Sequence, residues 1–171
     1  MEEHKGAVTM KGAPLTLVGR LPSVGEKAPE FTVAGNDLGA VSLSAYKGKT
    51  LIIASVPSLD TSVCDIETRR FNQEASGLGG DTVVLTISMD LPFAQKRWCG
   101  AAGVERVETL SDYKDASFGN AYGVLIKELR LLARAVFVVD KAGVVRYREL
   151  VKEITSEPDY AAALAAAKAA Q

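Results

Sequence analysis

The scarcest chemically reactive side chains of this 171-residue chain are two cysteines, Cys64 and Cys99, and one histidine, His4. His4 lies near a terminus expected to be mobile, which sets aside Ser-His-Asp triads, His-ligated zinc and His general bases. Thiol chemistry is what remains. Cys64 ends the segment VPSLDTSVC, where the chain leaves an apolar run, turns, and offers Thr61 or Ser62 as the cap of a helix. Such a helix puts the sulfur in its first turn, among unsatisfied amides at the positive end of the macrodipole, a placement that favours thiolate over thiol. The competing reading is a small buried hydrophobe. Pro57 and Thr61 taken singly read as a strand terminator and a cap, and Arg134 as a surface ion-pair residue opening a strand. Cys99 reads equally as a helix-face core thiol beside Trp98 and as a redox partner. The two cysteines are not in CxxC spacing, which argues against a thioredoxin-type disulfide donor. Copper chaperones and isomerases expect a close Cys pair or a ligating His.

The elements that must hold these residues follow from period and punctuation. Residues 7–10 and 15–18 read as a hairpin around Lys11-Gly12-Ala13-Pro14, about 7–18 overall. Residues 20–49, rich in Gly, Pro and Asn, read as loops with the short edge strands FTVAG and VSLS. LIIASV (51–56) is apolar without alternation, as a parallel strand buried on both faces would be, and Pro57 ends it. A helix is expected over 62–75, a second buried strand over 82–88, a second helix over 91–102 and a short strand over 107–110. ASFGNAYGV reads as a short helix, 133–140 and 144–151 as a hairpin over Lys141-Ala142-Gly143, and Pro158 opens an Ala-rich terminal helix. The alternation predicts an α/β fold with a mixed central sheet flanked by helices, in one domain spanning 1–171.

Composition narrows the function classes. Hydrophobic residues at 47% and charged residues at 24% are ordinary for a globular chain. The balance of 20 Lys+Arg against 21 Asp+Glu leaves no positive excess for nucleic acid. No apolar stretch reaches the length of a membrane span, and MEEHKGAVTM lacks the apolar core of a signal peptide, so a cytoplasmic chain without a membrane partner is expected. In a reducing compartment a cysteine pair points to redox or catalytic use more than to a staple.

The joint spacing P-x-x-x-T-x-x-C, with Pro57, Thr61 and Cys64, resembles the active-site signature of the peroxiredoxins. The chain is most similar to their thiol peroxidase subfamily, the atypical two-cysteine peroxiredoxins, through DLPFAQKRWCG around Cys99, LLARAVFVVD around Arg134 and VKEITSEPDYAAAL near the end. The resemblance spans nearly the whole chain and implies a thioredoxin-like fold. It also implies reduction of hydrogen peroxide and alkyl hydroperoxides, with no metal, haem or flavin. Cys64 would be the peroxidatic cysteine, passing through a sulfenic acid. Thr61 would hydrogen-bond thiolate and peroxide, Pro57 would shield the sulfenic acid, and Arg134 would donate to sulfur and peroxide oxygen. Cys99 would resolve the sulfenic acid as an intramolecular disulfide with Cys64, recycled by thioredoxin in a homodimer. A disulfide needs Cα atoms within about 4.4–6.8 Å, so the start of the first helix and the end of the second are expected to unwind on oxidation. Between Gly123 and Arg134 the chain carries VLIKELRLLA, shorter than the Gly-Pro-containing connection of some members and bearing on one wall of the peroxide pocket. Phe118, Tyr122 and Trp98 read as core or as a collar around that pocket. A peroxide-sensing switch acting on a protein partner is the alternative function.

Overall fold

Apolar runs without alternation become the central strands. The computed structural model describes residues 1–171. In chain order it contains β1 (Glu3–Met10), β2 (Ala13–Val18), β3 (Thr32–Ala34), β4 (Ala40–Ser42), a 3₁₀ turn (Leu43–Tyr46), β5 (Thr50–Ser55) and α1 (Ser62–Ala75). These are followed by β6 (Thr82–Ser88), α2 (Pro92–Ala102), β7 (Val107–Ser111), α3 (Ser117–Ala121), β8 (Leu125–Ile126), β9 (Leu131–Leu132), β10 (Ala135–Val139), β11 (Val145–Leu150) and α4 (Tyr160–Ala169). The main sheet has the order β11-β10-β5-β6-β7-β3-β4. Strands β5, β6 and β7 run parallel, and β10 joins β5 antiparallel. The expected mixed sheet is therefore present, with the strand before Pro57 inside it, between β10 and β6.

Side chains alternate across the sheet, so the two faces of β5 serve two cores. Leu51 and Ile53 join Leu85, Ile87 and Phe137 beneath Phe31, Phe118 and Tyr122. Ile52 and Ala54 join Val84, Val136 and Val138 against Phe71 of α1 and Ala163 and Ala167 of α4. Phe118 and Tyr122 are thus core residues, stacked at 4.4 Å between ring centres. Pro92 opens α2 as expected, and Gly103 closes it in the left-handed region (φ 67°). The terminal helix α4 starts at Tyr160, beyond the expected Pro158, because the Asp159 carboxylate accepts from Ala162 N and caps it there.

Two expectations need correction. The N-terminal hairpin begins at Glu3, not residue 7, and His4 pairs with Leu17 in β1 instead of lying on a mobile tail. The register shifts between His4 and Val8, where Gly6 takes a φ of 68°, and this irregularity together with the polar Glu-His-Lys run hides the strand from a period-2 reading. The VLIKELRLLA segment is not merely a connection. Leu125–Ile126 pairs with Leu17–Val18 and with Leu131–Leu132, turning through Arg130 at φ 52°. This completes a second sheet of order β1-β2-β8-β9. Strands of two residues carry no readable period. The chain around residues 19–21 crosses close to the end of α3, where a Cβ on Gly123 would lie 2.5 Å from the Arg20 backbone.

Candidate active site

The polypeptide leaves β5 through buried Pro57 and enters α1 at the N-cap Thr61, so Cys64 occupies the third helical position. The first intrahelical bond runs from Asp65 N to Thr61 O, leaving the earlier amides of the turn without helical partners around the sulfur. Cys64 is fully buried and packs with Val56, Leu59 and Trp98. Its polar neighbour is Arg134, whose NH2 nitrogen donates to Cys64 Sγ at 3.1 Å.

Arg134 is itself buried, just before β10, and its backbone is pinned on both sides. Ser55 Oγ donates to Ala133 O at 2.7 Å, and Val151 N donates to Arg134 O at 2.9 Å. The guanidinium is held by Nε donating to Ile154 O at 2.9 Å and by NH1 donating to Glu67 Oε2. Three directions of the fork are thereby used, and two of the five N–H donors remain uncommitted. Burial works against the Arg134 charge, but Glu67 and Cys64 beside it more than offset that, and its pKa is raised.

Glu67 was not singled out among the sequence candidates. It lies one turn after Cys64 on the stripe Cys64, Glu67, Thr68, Phe71, which are the buried residues of α1. A carboxyl on the apolar stripe of a helix is the signal that could have found it. Burial pushes the Glu67 carboxyl from 4.5 up to about 7, against the opposing pull of Arg134. Between those values the folded chain binds a proton that the unfolded chain has lost, so stability falls as pH rises through that window. Glu67→Gln removes this linkage. Urea unfolding at pH 4.5 and pH 7.5 is expected to show wild type losing up to about 3 kcal/mol more than the variant. Parallel losses in the two proteins would refute the assignment.

Thr61 and its loop are held by a clamp that sequence reading also missed. The Asp90 carboxylate accepts from Ser58 Oγ at 2.7 Å, Leu59 N at 2.8 Å and Ser88 Oγ at 2.7 Å, tying the loop before α1 to the end of β6. Thr61 Oγ1 donates to Ser58 O at 2.9 Å, not to Cys64. With its proton so engaged, the hydroxyl offers acceptor lone pairs.

Cys99 is held apart from this group. Its sulfur lies 3.4 Å from Thr109 Oγ1, in a cavity lined also by Asn36, Val83 and Val104. Both cysteines are free thiols. Of the five candidate residues, Cys64 and Arg134 are in direct contact, Pro57 and Thr61 flank them in one loop, and Cys99 stands on the neighbouring helix. Chemically, the group is a buried sulfur nucleophile facing a fixed cation with spare donors.

Residues 23–164 match the Redoxin family. Over 164 residues the chain is 58% identical to a thiol peroxidase of Halalkalibacterium halodurans, covering 96% of this chain and 98% of that protein. Over 162 residues it is 59% identical to a thiol peroxidase of Bacillus subtilis, covering 95% and 96%. Among solved structures, a peroxiredoxin-like protein from Aquifex aeolicus superposes with a TM-score of 0.90 at 42% identity, covering 98% of this chain and 99% of that one. No helix is long and apolar enough to cross a membrane.

Proposed function

Because the chain belongs to the redoxin family, with a thioredoxin-like fold and the activity of a peroxiredoxin-type peroxidase, we propose that Cys64 reduces hydrogen peroxide and alkyl hydroperoxides and that Cys99 then resolves it. The observation that most supports this is the 3.1 Å contact from Arg134 to the Cys64 sulfur at the start of α1. The Cys64 thiolate attacks the hydroxyl-bearing peroxide oxygen, an S–O bond forms as the O–O bond breaks, and the alkoxide or hydroxide leaves to take up a proton. The uncommitted Arg134 donors stabilise the charge that moves onto the leaving oxygen. Thr61 accepts the hydrogen bond of the peroxide hydroxyl. Buried Pro57 limits the water that reaches the sulfenic acid.

The Cys64 sulfenic acid then condenses with the Cys99 thiol, releasing water and forming the disulfide. A dithiol reductant of the thioredoxin type restores both thiols and leaves as its own disulfide. Because Cys99 now faces Thr109, the start of α1 and the end of α2 unwind for this step. Recycling by a thioredoxin-type reductant fits a reducing compartment, the cytoplasm. The exposed apolar side chains Ile66, Leu91 and Phe93 fit a homodimer contact. The N-terminal hairpin, which shares the core through Val8, Leu15 and Leu17, is part of the same single domain.

The test is thioredoxin-coupled peroxide consumption by Cys99→Ala. This variant is expected to reduce about one equivalent of peroxide at the wild-type rate and then stop, because thioredoxin finds no disulfide to attack. Normal steady-state turnover would reject the role of Cys99.

A further inference from the structure

Beside the buried stripe of α1 runs a second one, Asp65, Arg69 and Asn72, at the i, i+4, i+7 spacing of a single helix face. Every member holds α2 or the loop that follows it. Asp65 Oδ1 accepts from Trp98 Nε1 at 2.9 Å, and Asp65 Oδ2 accepts from Arg69 Nε at 2.9 Å. The Arg69 guanidinium lies 5.7 Å from the centre of the Trp98 ring and donates to Ala102 O, the last carbonyl of α2, at 3.3 Å. Asn72 Oδ1 accepts from the amides of Glu105 and Arg106 at 3.2 and 2.7 Å. Trp98 precedes Cys99 in the chain and packs on Val56, Leu59 and Cys64. One indole therefore touches the neighbourhood of both cysteines, and its N–H is bonded to the helix that carries the other.

We propose that Asp65, Arg69 and Trp98 form a latch that keeps the two cysteine helices folded together while peroxide reacts, and that opening this latch limits disulfide formation. The proposal rests on the reading that Cys64 and Cys99 pair. For Cys99 to leave Thr109 and reach Cys64, the end of α2 must come away from α1, and the Trp98–Asp65 bond and the Arg69–Ala102 bond both lie across that seam. The latch then sets a competition at the sulfenic acid. If α2 opens, the Cys99 thiol displaces the sulfenic oxygen as water and the disulfide forms. While it stays shut, a second peroxide can transfer an oxygen to the same sulfur, giving a sulfinic acid and releasing alcohol or water. Asp65, Arg69 and Trp98 are positioning residues in this scheme, since none of them touches the reacting oxygen.

The test uses Arg69→Gln, an exposed position, and Trp98→Phe, which keeps an aromatic ring without the N–H donor. Each purified variant is mixed with one equivalent of hydrogen peroxide, quenched at intervals with acid, alkylated and mapped by mass spectrometry. Both are expected to form the Cys64–Cys99 disulfide about tenfold faster than wild type, since each removes a hydrogen bond to a charged group that closes the seam. In Arg69→Gln sulfenic acid formation should stay within about twofold of wild type, and in both variants the sulfinic fraction in excess peroxide should fall. Trp98 is the only tryptophan, so in wild type and Arg69→Gln its fluorescence should change further as the disulfide forms. An unchanged or slower disulfide step in either variant overturns the latch while leaving the pairing intact. A wild type that consumes peroxide without forming this disulfide overturns the pairing and the latch together.

Discussion

Cys64→Ser is expected to abolish peroxide turnover, with a loss on the order of 10⁴-fold or more, while leaving the protein folded. The substitution keeps the side-chain shape, and the buried Arg134 donor that meets sulfur at 3.1 Å would meet an oxygen instead. The new hydroxyl therefore has a hydrogen-bond partner in its buried site, which limits the cost to stability. Its chemistry is different. A serine hydroxyl is a far weaker acid than a thiol and stays protonated beside the same donors, and an alcohol oxygen does not displace oxygen from a peroxide. The single histidine is far away in β1, paired with Leu17, and offers no rescue. Thioredoxin-coupled peroxide consumption, read beside a thermal melt, separates lost chemistry from lost folding. Retained turnover in a folded variant would remove Cys64 from the mechanism.

Arg134→Met is expected to lower the rate of the first peroxide step by roughly 10²- to 10³-fold, the usual cost of deleting a preorganised donor at developing negative charge. Removing one member of a buried ion pair ordinarily costs about 3–5 kcal/mol, because the partner is left charged and alone. That cost is blunted here. Burial already holds the Glu67 carboxyl at about 7 against the pull of Arg134, and loss of that pull raises it further, so in the variant it is buried as a neutral acid at neutral pH. The kinetic loss should therefore exceed what the melting temperature suggests. Arg134→Met combined with Glu67→Gln should match the single Arg134 variant in rate and equal or exceed it in stability. Arg134→Lys should not recover the rate, since one ammonium cannot meet Ile154 O, Glu67 and the Cys64 sulfur together. A first-step rate within a few-fold of wild type in Arg134→Met would leave the guanidinium with a structural role only.

Much of the frame that carries these groups is legible in the residues. TVVLTIS is strand β6 with no adjustment, and the cap residues before Cys64 start α1 at Ser62, as the punctuation predicts. Local signals suffice there because propensity, capping and burial agree. They fail where position depends on distant chain. Glu67 falls on the buried stripe of α1, but its partner there, Arg134, comes from the far side of the sequence. Asp90 gives no local hint that it clamps the loop before α1. Thr61 is read rightly as an N-cap, yet which atom receives its proton is decided by the turn at Ser58. Leu125–Ile126 becomes a strand only because β2 presents an open edge to it.

The central claim is a division of labour between two thiols, and peptide mapping after one equivalent of hydrogen peroxide tests it most directly. The account predicts that the wild-type chain loses the mass of two hydrogens and yields a single crosslinked peptide pair joining Cys64 to Cys99, while Cys99→Ala treated alike carries one trappable sulfenic acid at Cys64. A sulfenic acid on Cys99, or a peroxide-oxidised wild type in which the two cysteines are not joined to each other, would contradict it.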